Sequence, residues 1–316
     1  MEDCAKKQKN ITEECRSNLQ DIAYRARERG IKVIDEQLWE KENGRWQLVM
    51  KVMVKDGCVT TRELTKAVAG ALNRRMIPEK DTKTLIGKGV NLYTYEEEPR
   101  FQAIYGVARM VKDGAAVSGD NFSFLEPESG KMVMCLSDGM GSGSLACKES
   151  EMVIELVEKF LEAGFDVETA ARMMNSAMVM KGQEDLFSTV DISELDLYDG
   201  TCRFYKIGAA ATFIRRNGIV ECLISTSLPV GVSYKLDMEK SEKDLYNGDF
   251  LVMVSDGVLE YLHVPNPEET MQEIIESIET NNATILAKRI LERVLLFTGG
   301  KAADDMTVLA TAIWEK

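Results

Sequence analysis

Four acidic positions stand at the ends of apolar runs. Leu136-Ser137-Asp138-Gly139 closes the run 132–136, and Val254-Ser255-Asp256-Gly257 closes 250–254. Ala303-Asp304-Asp305-Met306-Thr307 opens the run 306–313, and Ser118-Gly119-Asp120-Asn121 precedes another. Strand ends are rigid, so carboxylates placed there can converge on one point at a sheet edge. Carboxylates gathered in that way stay ionised together only when a cation neutralises them. The 316 residues include one histidine, His263, and seven cysteines with no C-x-x-C spacing. An all-oxygen donor set of this kind suits Mg²⁺ or Mn²⁺. A single Ser-Asp-Gly is more simply a turn after a strand. Two of them after apolar strands, with Asp-Asp ahead of a third, favour a metal site.

The same counts exclude other chemistries. One histidine leaves no Cys2His2 site, three-His zinc or H-E-x-x-H helix. No G-x-S-x-G elbow is present to serve a hydrolase triad, and no cysteine has an arginine six residues on. His263 reads as a surface or helix-end residue, and Met173, Met174, Met178 and Met180 as a packing face. The net charge of −13 is uneven: residues 1–98 hold 19 basic and 17 acidic residues, and 99–316 hold 20 and 35. So acidic a segment argues against a nucleic-acid surface and fits cations or a basic partner. The cysteine usage indicates a reducing, cytosolic compartment. The amino terminus lacks a secretory apolar core, and no apolar run approaches the roughly 20 residues that span a bilayer. The expectation is therefore a cytoplasmic protein without a membrane segment, or the cytoplasmic part of a membrane-anchored one.

The elements that must position these acids follow from periodicity. Residues 11–29 have helical spacing, and 31–39 and 46–54 are strand-like runs joined by Glu42-Asn43-Gly44-Arg45, a hairpin signal. Thr60 and Glu63 have capping-box spacing ahead of a helix running to Arg75, with Pro78 as its stop. Glu96-Glu97-Glu98 reads as a solvated linker. Residues 1–98 thus form a small α+β unit, and 99–316 a second one. The second runs strands 101–111, 121–125 and 132–137, helices 144–163 and 167–181, strands over 187–254, helices 268–279 and 283–297, and strand 306–314. That order indicates an α+β layer fold and not a repeating βαβ one. The apolar faces of the first unit need cover, either from helices of the second or from another copy of the chain, which would make a homodimer.

Asp138-Gly139-Met140-Gly141-Ser142-Gly143 resembles one box of the histidine-kinase-type ATP-binding fold, but the Asn-bearing helix and glycine-rich lid of that fold are missing. A longer ordered set carries a stronger resemblance. Ser118-Gly119-Asp120, Leu136 to Gly143, Leu228-Pro229-Val230-Gly231, Ser255-Asp256-Gly257 and Asp304-Asp305-Met306-Thr307 together resemble the metal-dependent type-2C (PPM) serine/threonine phosphatases. Within these, the likeness is to the bacterial sporulation branch, and it covers residues 99–316.

The resemblance implies a PPM-type α-β-β-α sandwich, two antiparallel sheets flanked by helix pairs, preceded by a regulatory segment at 1–98. It implies two Mn²⁺ or Mg²⁺ ions held by Asp120, Asp138, the carbonyl of Gly139, Asp256 and Asp304, with a metal-bridging water in place of a side-chain nucleophile. Asp305 stands where the family usually has Asn. Successive side chains near a strand point to opposite faces, so one of the pair faces the ions, and Asp305→Asn is expected to be mild. Arg109 is a candidate phosphate contact, or else a structural ion pair. Helices 144–163 and 167–181 would act as a regulatory switch. The implied substrate is a phosphoserine on an anti-sigma-factor antagonist, whose dephosphorylation activates a sporulation sigma factor. The competing class is a catalytically silent module that only binds a phosphoprotein; the filled acidic positions disfavour it.

Overall fold

In the first unit, Met1–Glu98, a short β1 (Lys9–Asn10) precedes α1 (Arg16–Glu28), which buries Leu19, Ile22 and Ala26 at helical spacing. The computed structural model describes residues 8–316 except 42–43, 80, 128–129, 142, 181–186, 298 and 303. Gly30, at φ +77°, turns the chain from α1 into β2 (Ile31–Glu40), which pairs with β3 (Trp46–Val54). The Asn43-Gly44 signal between them falls partly outside the described residues. β4 (Val59–Thr60) leads into α2 (Thr61–Leu72). Thr60 is the N-cap, yet its side chain makes no cap hydrogen bond. Asn73, in the left-handed region at φ 53°, ends the helix five residues before Pro78.

Pro78 closes β5 (Met76–Pro78), an edge strand where a missing N–H is tolerated. β6 (Leu85–Ile86) pairs with β4, and β7 (Asn91–Glu97) completes a sheet of order β1-β2-β3-β7-β5. The acidic run expected to be a solvated linker is instead largely strand. Glu96 holds Lys41 at 2.7 Å, and Glu97 holds Arg74 and accepts the Trp46 N–H at 2.9 Å.

The second unit, Pro99–Lys316, begins with β8 (Phe101–Met110), β9 (Asp120–Leu125), β10 (Lys131–Gly139), α3 (Ser144–Glu162) and α4 (Val167–Met180). β11 (Ser188–Asp196), β12 (Thr201–Ile207), β13 (Thr212–Arg216), β14 (Ile219–Leu223), β15 (Glu239–Asp244) and β16 (Phe250–Val254) follow. The chain ends with α5 (Asp256–Glu260), α6 (Pro267–Glu276), α7 (Ala283–Phe297) and β17 (Met306–Glu315).

Two antiparallel sheets result, of order β15-β12-β11-β10-β9 and β14-β13-β16-β17-β8. β10 lies inside its sheet with both faces covered, hence its nearly unbroken apolar run. Val133 and Cys135 face α3 and α4, while Met134 and Leu136 meet Leu251 and Leu309 of the second sheet. Helices α6 and α7 cover the outer face of that second sheet. The layers are helix, sheet, sheet, helix.

Two polar features punctuate this packing. The buried Lys206 amine donates to Asp191 and, at 2.8 Å, to Thr212, joining strands of both sheets. β15, an edge strand, reads Glu-Lys-Ser-Glu-Lys-Asp. Lys240 pairs with Glu168, Lys243 with Glu221, and Glu242 with Arg203 at 2.9 Å. Among the described residues no helix is long and apolar enough to cross a membrane.

Candidate functional site

Each sheet contributes one pair of acids to the same end of the sandwich. Asp120 is the first residue of β9, and Asp138 is its register partner near the end of β10. Directly opposed residues on antiparallel strands have Cβ atoms about 4.5–5.5 Å apart, so this pairing alone brings two carboxylates together. From the second sheet, Asp256 begins α5 immediately after β16, and Asp304 lies just before β17. Those strands are neighbours, and the Thr307 N–H donates to Ser255 Oγ at 2.9 Å to tie their ends.

A cavity of about 270 Å³ opens between them, lined by Asp138, Gly139, Asp256, Asp304, Asp305 and Lys112 among others. Asp120 lies beneath it, fully buried. Neither Asp120 oxygen has a hydrogen-bond partner. Burial pushes the Asp120 carboxyl above its ordinary pKa; the nearby Thr307, Ser255 and Asp138 side chains oppose the rise, and the Asp256 charge adds to it. The Asp138 carboxyl is pushed up to about 11, first by burial and then by contact with Asp256 and Asp120. Among the described residues no group of three such ligands closes around a single point; the acids are drawn together pairwise about Asp138. Buried carboxylate oxygens without donors are costly unless a proton or cation satisfies them. The residues present therefore fit divalent ions.

The backbone around these acids is tightly constrained. A Cβ on Gly139 would fall 2.1 Å from the Ala146 carbonyl of α3, and one on Gly257 would fall 2.2 Å from the Asp305 carbonyl. Ser188 donates to the Asp138 carbonyl at 2.6 Å, and the Asp138 N–H donates to Thr189 Oγ1 at 3.3 Å. Ser150 of α3 donates to the Gly119 carbonyl, and Asn121 donates to Ser150 at 2.8 Å. The first turns of α3 are thus bonded to the strand start that carries Asp120.

Asp304 and Asp305 have different surroundings. The Asp304 side chain is 36% exposed and lies 3.6 Å from the Lys112 amine. Asp305 is buried and accepts the Lys112 N–H at 2.9 Å through one oxygen and the Gly119 N–H at 2.7 Å through the other. An asparagine there has one acceptor oxygen and would turn its amide donor toward a backbone N–H. Asp305→Asn is therefore expected to destabilise the chain by about 1–3 kcal/mol, the cost of an unsatisfied buried donor. Urea denaturation would check this, and an unchanged midpoint would restore the mild outcome that motif comparison suggests.

Arg109 lies outside the cavity lining. Its guanidinium donates to the main-chain carbonyls of Asp120 at 2.5 Å and Ser118 at 3.5 Å, bracing the strand start. The cation that does line the cavity is Lys112. Its signal in the sequence is slight: it is the sole basic residue between 111 and 119. Glu149 is a second residue that periodicity passes over. It is buried on α3, and neither of its carboxylate oxygens has a partner.

Comparison with known proteins places this geometry. The chain is 29% identical over 285 residues to stage II sporulation protein E of Bacillus subtilis, covering 90% of this chain and 34% of that protein. It spans about a third of the length of the curated sporulation relatives it matches. The solved PP2C phosphatase domain of B. subtilis SpoIIE with a fragment of its regulatory domain superimposes with a TM-score of 0.72 at 27% identity, covering 96% of this chain and 89% of that one. Phosphoserine phosphatase RsbX of B. subtilis is 35% identical over 86 residues, 27% of this chain and 41% of that protein. A solved RsbX structure with magnesium, 21% identical, shares the fold at a TM-score of 0.52 over 69% of this chain and 98% of that one. The fold is that of the PP2C phosphatases, which sets aside the histidine-kinase-type reading of the glycine box. The family model for stage II sporulation protein E matches residues 128–313, more than half the chain, and the chain belongs to that family of PP2C-type phosphatases.

Proposed function

We propose that the chain hydrolyses phosphoserine on an anti-sigma-factor antagonist, in the cytoplasm, with two Mn²⁺ or Mg²⁺ ions as cofactors, and so controls a sporulation sigma factor. Residues 99–316 carry the reaction, and 1–98 serve as its regulatory segment. The observation that carries this reading is Asp120: two sealed, unbonded carboxylate oxygens beside Asp138, which in turn contacts Asp256. The name of RsbX, a phosphoserine phosphatase, supports the substrate class.

Asp120, Asp138, Asp256, Asp304 and the Gly139 carbonyl would hold the ions. When bound, two divalent ions would supply the Lewis acidity that lowers the pKa of water, so that hydroxide is available near neutral pH, and would offset phosphoryl charge. The Lys112 amine, beside Asp304, is placed to meet the phosphoryl oxygens at the cavity mouth. Ser188 and Thr189 line the cavity but are occupied by the Asp138 backbone, so they hold β10 in place and are not set as nucleophiles. The Ser150 and Asn121 contacts link α3 to the acids, so a partner that moves α3 would alter how they are presented.

The test is turnover of p-nitrophenyl phosphate and of a phosphoserine antagonist protein. Activity is expected to vanish in chelator and return with Mn²⁺; full activity in excess chelator would sink the proposal. Burial raises both carboxyls, and Asp138, pushed up to about 11, holds its proton at neutral pH until metal displaces it. Mn²⁺ affinity is therefore expected to rise from pH 6 to pH 8, with proton release on binding. Calorimetry in buffers of different ionisation enthalpy would check both.

A further inference from the structure

The first unit holds a larger concavity than the acidic one. It measures about 780 Å³ and lies between the last turns of α1 and the open end of the β2–β3 hairpin. That volume falls within the range of small-molecule sites. Ala23, Ile31, Val54 and Val59 give it an apolar floor, and Arg27, Lys32 and Lys55 a basic rim. Ile31 pairs with Val54 and Lys32 with Met53, so Lys32 alternates to the sheet face opposite the floor residues Ile31 and Val54. Lys55 follows the last residue of β3, and both lysines border the cavity at the open end of the hairpin. Arg27 joins them from the helix.

No ion pair or hydrogen bond of these three side chains is found among the described residues. The one acid in the lining, Asp56, is paired with Lys88 at 3.4 Å. Three cations at one concavity repel each other unless an anion joins them. Tyr24 borders the same space and is 64% exposed, with Glu28 nearby. Among the described residues its ring makes no aromatic or cation–π contact, and a flat group can stack on it. Among the described residues no Asn, Gln, Ser or Thr lines the space to read the edge of a base.

We propose that this cavity binds a nucleoside polyphosphate. The phosphates lie on Arg27, Lys32 and Lys55, and the base lies against Tyr24 and the apolar floor without preference between adenine and guanine. This stands apart from the phosphatase reading, since no residue of the acidic site takes part.

The test is calorimetry on the full chain in chelator, where the acidic cavity repels polyphosphate. ATP and GTP are expected to bind with Kd values within about threefold of each other, and inorganic tripolyphosphate about tenfold more weakly for want of stacking. Lys32→Glu with Lys55→Glu should weaken all three ligands by about tenfold or more, since close charge pairs carry that much. Tyr24→Ala should weaken only the nucleotides. Circular dichroism would confirm that the exposed substitutions leave the fold intact, and Lys32→Gln with Lys55→Gln replaces the charge reversal should it not. Absence of binding at about 1 mM, a millimolar ceiling being near −4 kcal/mol, would overturn the proposal. So would affinity unchanged by the double lysine variant. Tripolyphosphate binding as tight as ATP, with Tyr24→Ala silent, would also overturn it by reducing the site to polyanion attraction.

Discussion

Asp120→Asn is expected to abolish most metal-dependent turnover, by about a hundredfold or more, while raising the melting temperature of the chelator-treated chain. The two effects have one origin. Both Asp120 oxygens are sealed from solvent without a hydrogen bond, so the ionised form is disfavoured and burial raises the carboxyl above its ordinary value in the folded chain. A carboxyl whose folded pKa is raised contributes stability at low pH, and loses it as pH rises above the unfolded value. For Asp138 that loss extends from about 3.8, its ordinary value, toward about 11.

A neutral amide at 120 escapes this penalty, so the gap in melting temperature should be small near pH 4 and widen toward pH 8. Added Mn²⁺ should reverse the order. A ligand at a hundred times its Kd stabilises the native state by about 2.7 kcal/mol, a gain reserved for the chain that binds it. Scanning calorimetry of both chains, with chelator and with Mn²⁺, would show the crossover. Unimpaired turnover in Asp120→Asn would remove it from the metal set, and a lower melting point in chelator at pH 8 would refute the buried-charge argument.

Gly139→Ala is expected to cost about as much activity through geometry alone. The added Cβ would lie 2.1 Å from the Ala146 carbonyl and 2.8 Å from the Ala146 Cα. These are backbone atoms near the start of α3, with no flexible side chain to yield. Either the end of β10 or the first turn of α3 must move, a strain of about 1–3 kcal/mol. Movement at β10 displaces the Gly139 carbonyl and the neighbouring Asp138. Movement at α3 disturbs the Ser150 bond to the Gly119 carbonyl, next to Asp120. Turnover should fall by about a hundredfold, since a misplacement of about 1 Å is enough for that, and half-maximal Mn²⁺ should rise.

Gly141→Ala, two residues on, is the control. Gly141 has φ +94° with nothing within 4 Å of where a Cβ would stand, so it carries only a left-handed backbone penalty of about 1–2 kcal/mol. Equal behaviour of the two variants would show that the fit of α3 against β10 is irrelevant to the chemistry.

The layered fold and the convergence of acids were legible because they rest on strong, local signals. β10 and β16 announce themselves as apolar runs broken by Ser-Asp-Gly, and an acid at a strand end stays there whatever the rest of the chain does. Contributions from distant sequence were not legible. Glu96 and Glu97 look like a solvated charge run until Lys41 and Arg74 arrive beside them in space. Thr60 and Glu63 keep the capping spacing without the capping bond, because spacing constrains reach and not rotamer. The five residues of α5 are too few to show a period. Lys112 sits in an irregular segment, where no periodicity assigns a direction to its side chain. Glu149 shares the inward face of α3 with Ala146 and Val153, and only burial reveals that a carboxyl occupies a place where an apolar residue belongs.

The composition of β15 bears on how this chain survives crowding. An edge strand offers a row of free N–H and C=O groups, an invitation to join end to end with other molecules into insoluble β-assemblies. Here the edge consists of five charges and one serine. A second copy docking along it would set like charges against each other and would have to break pairs already made with Glu168, Glu221 and Arg203. The ten-strand sandwich can therefore accumulate to high local concentration with that margin closed to aggregation.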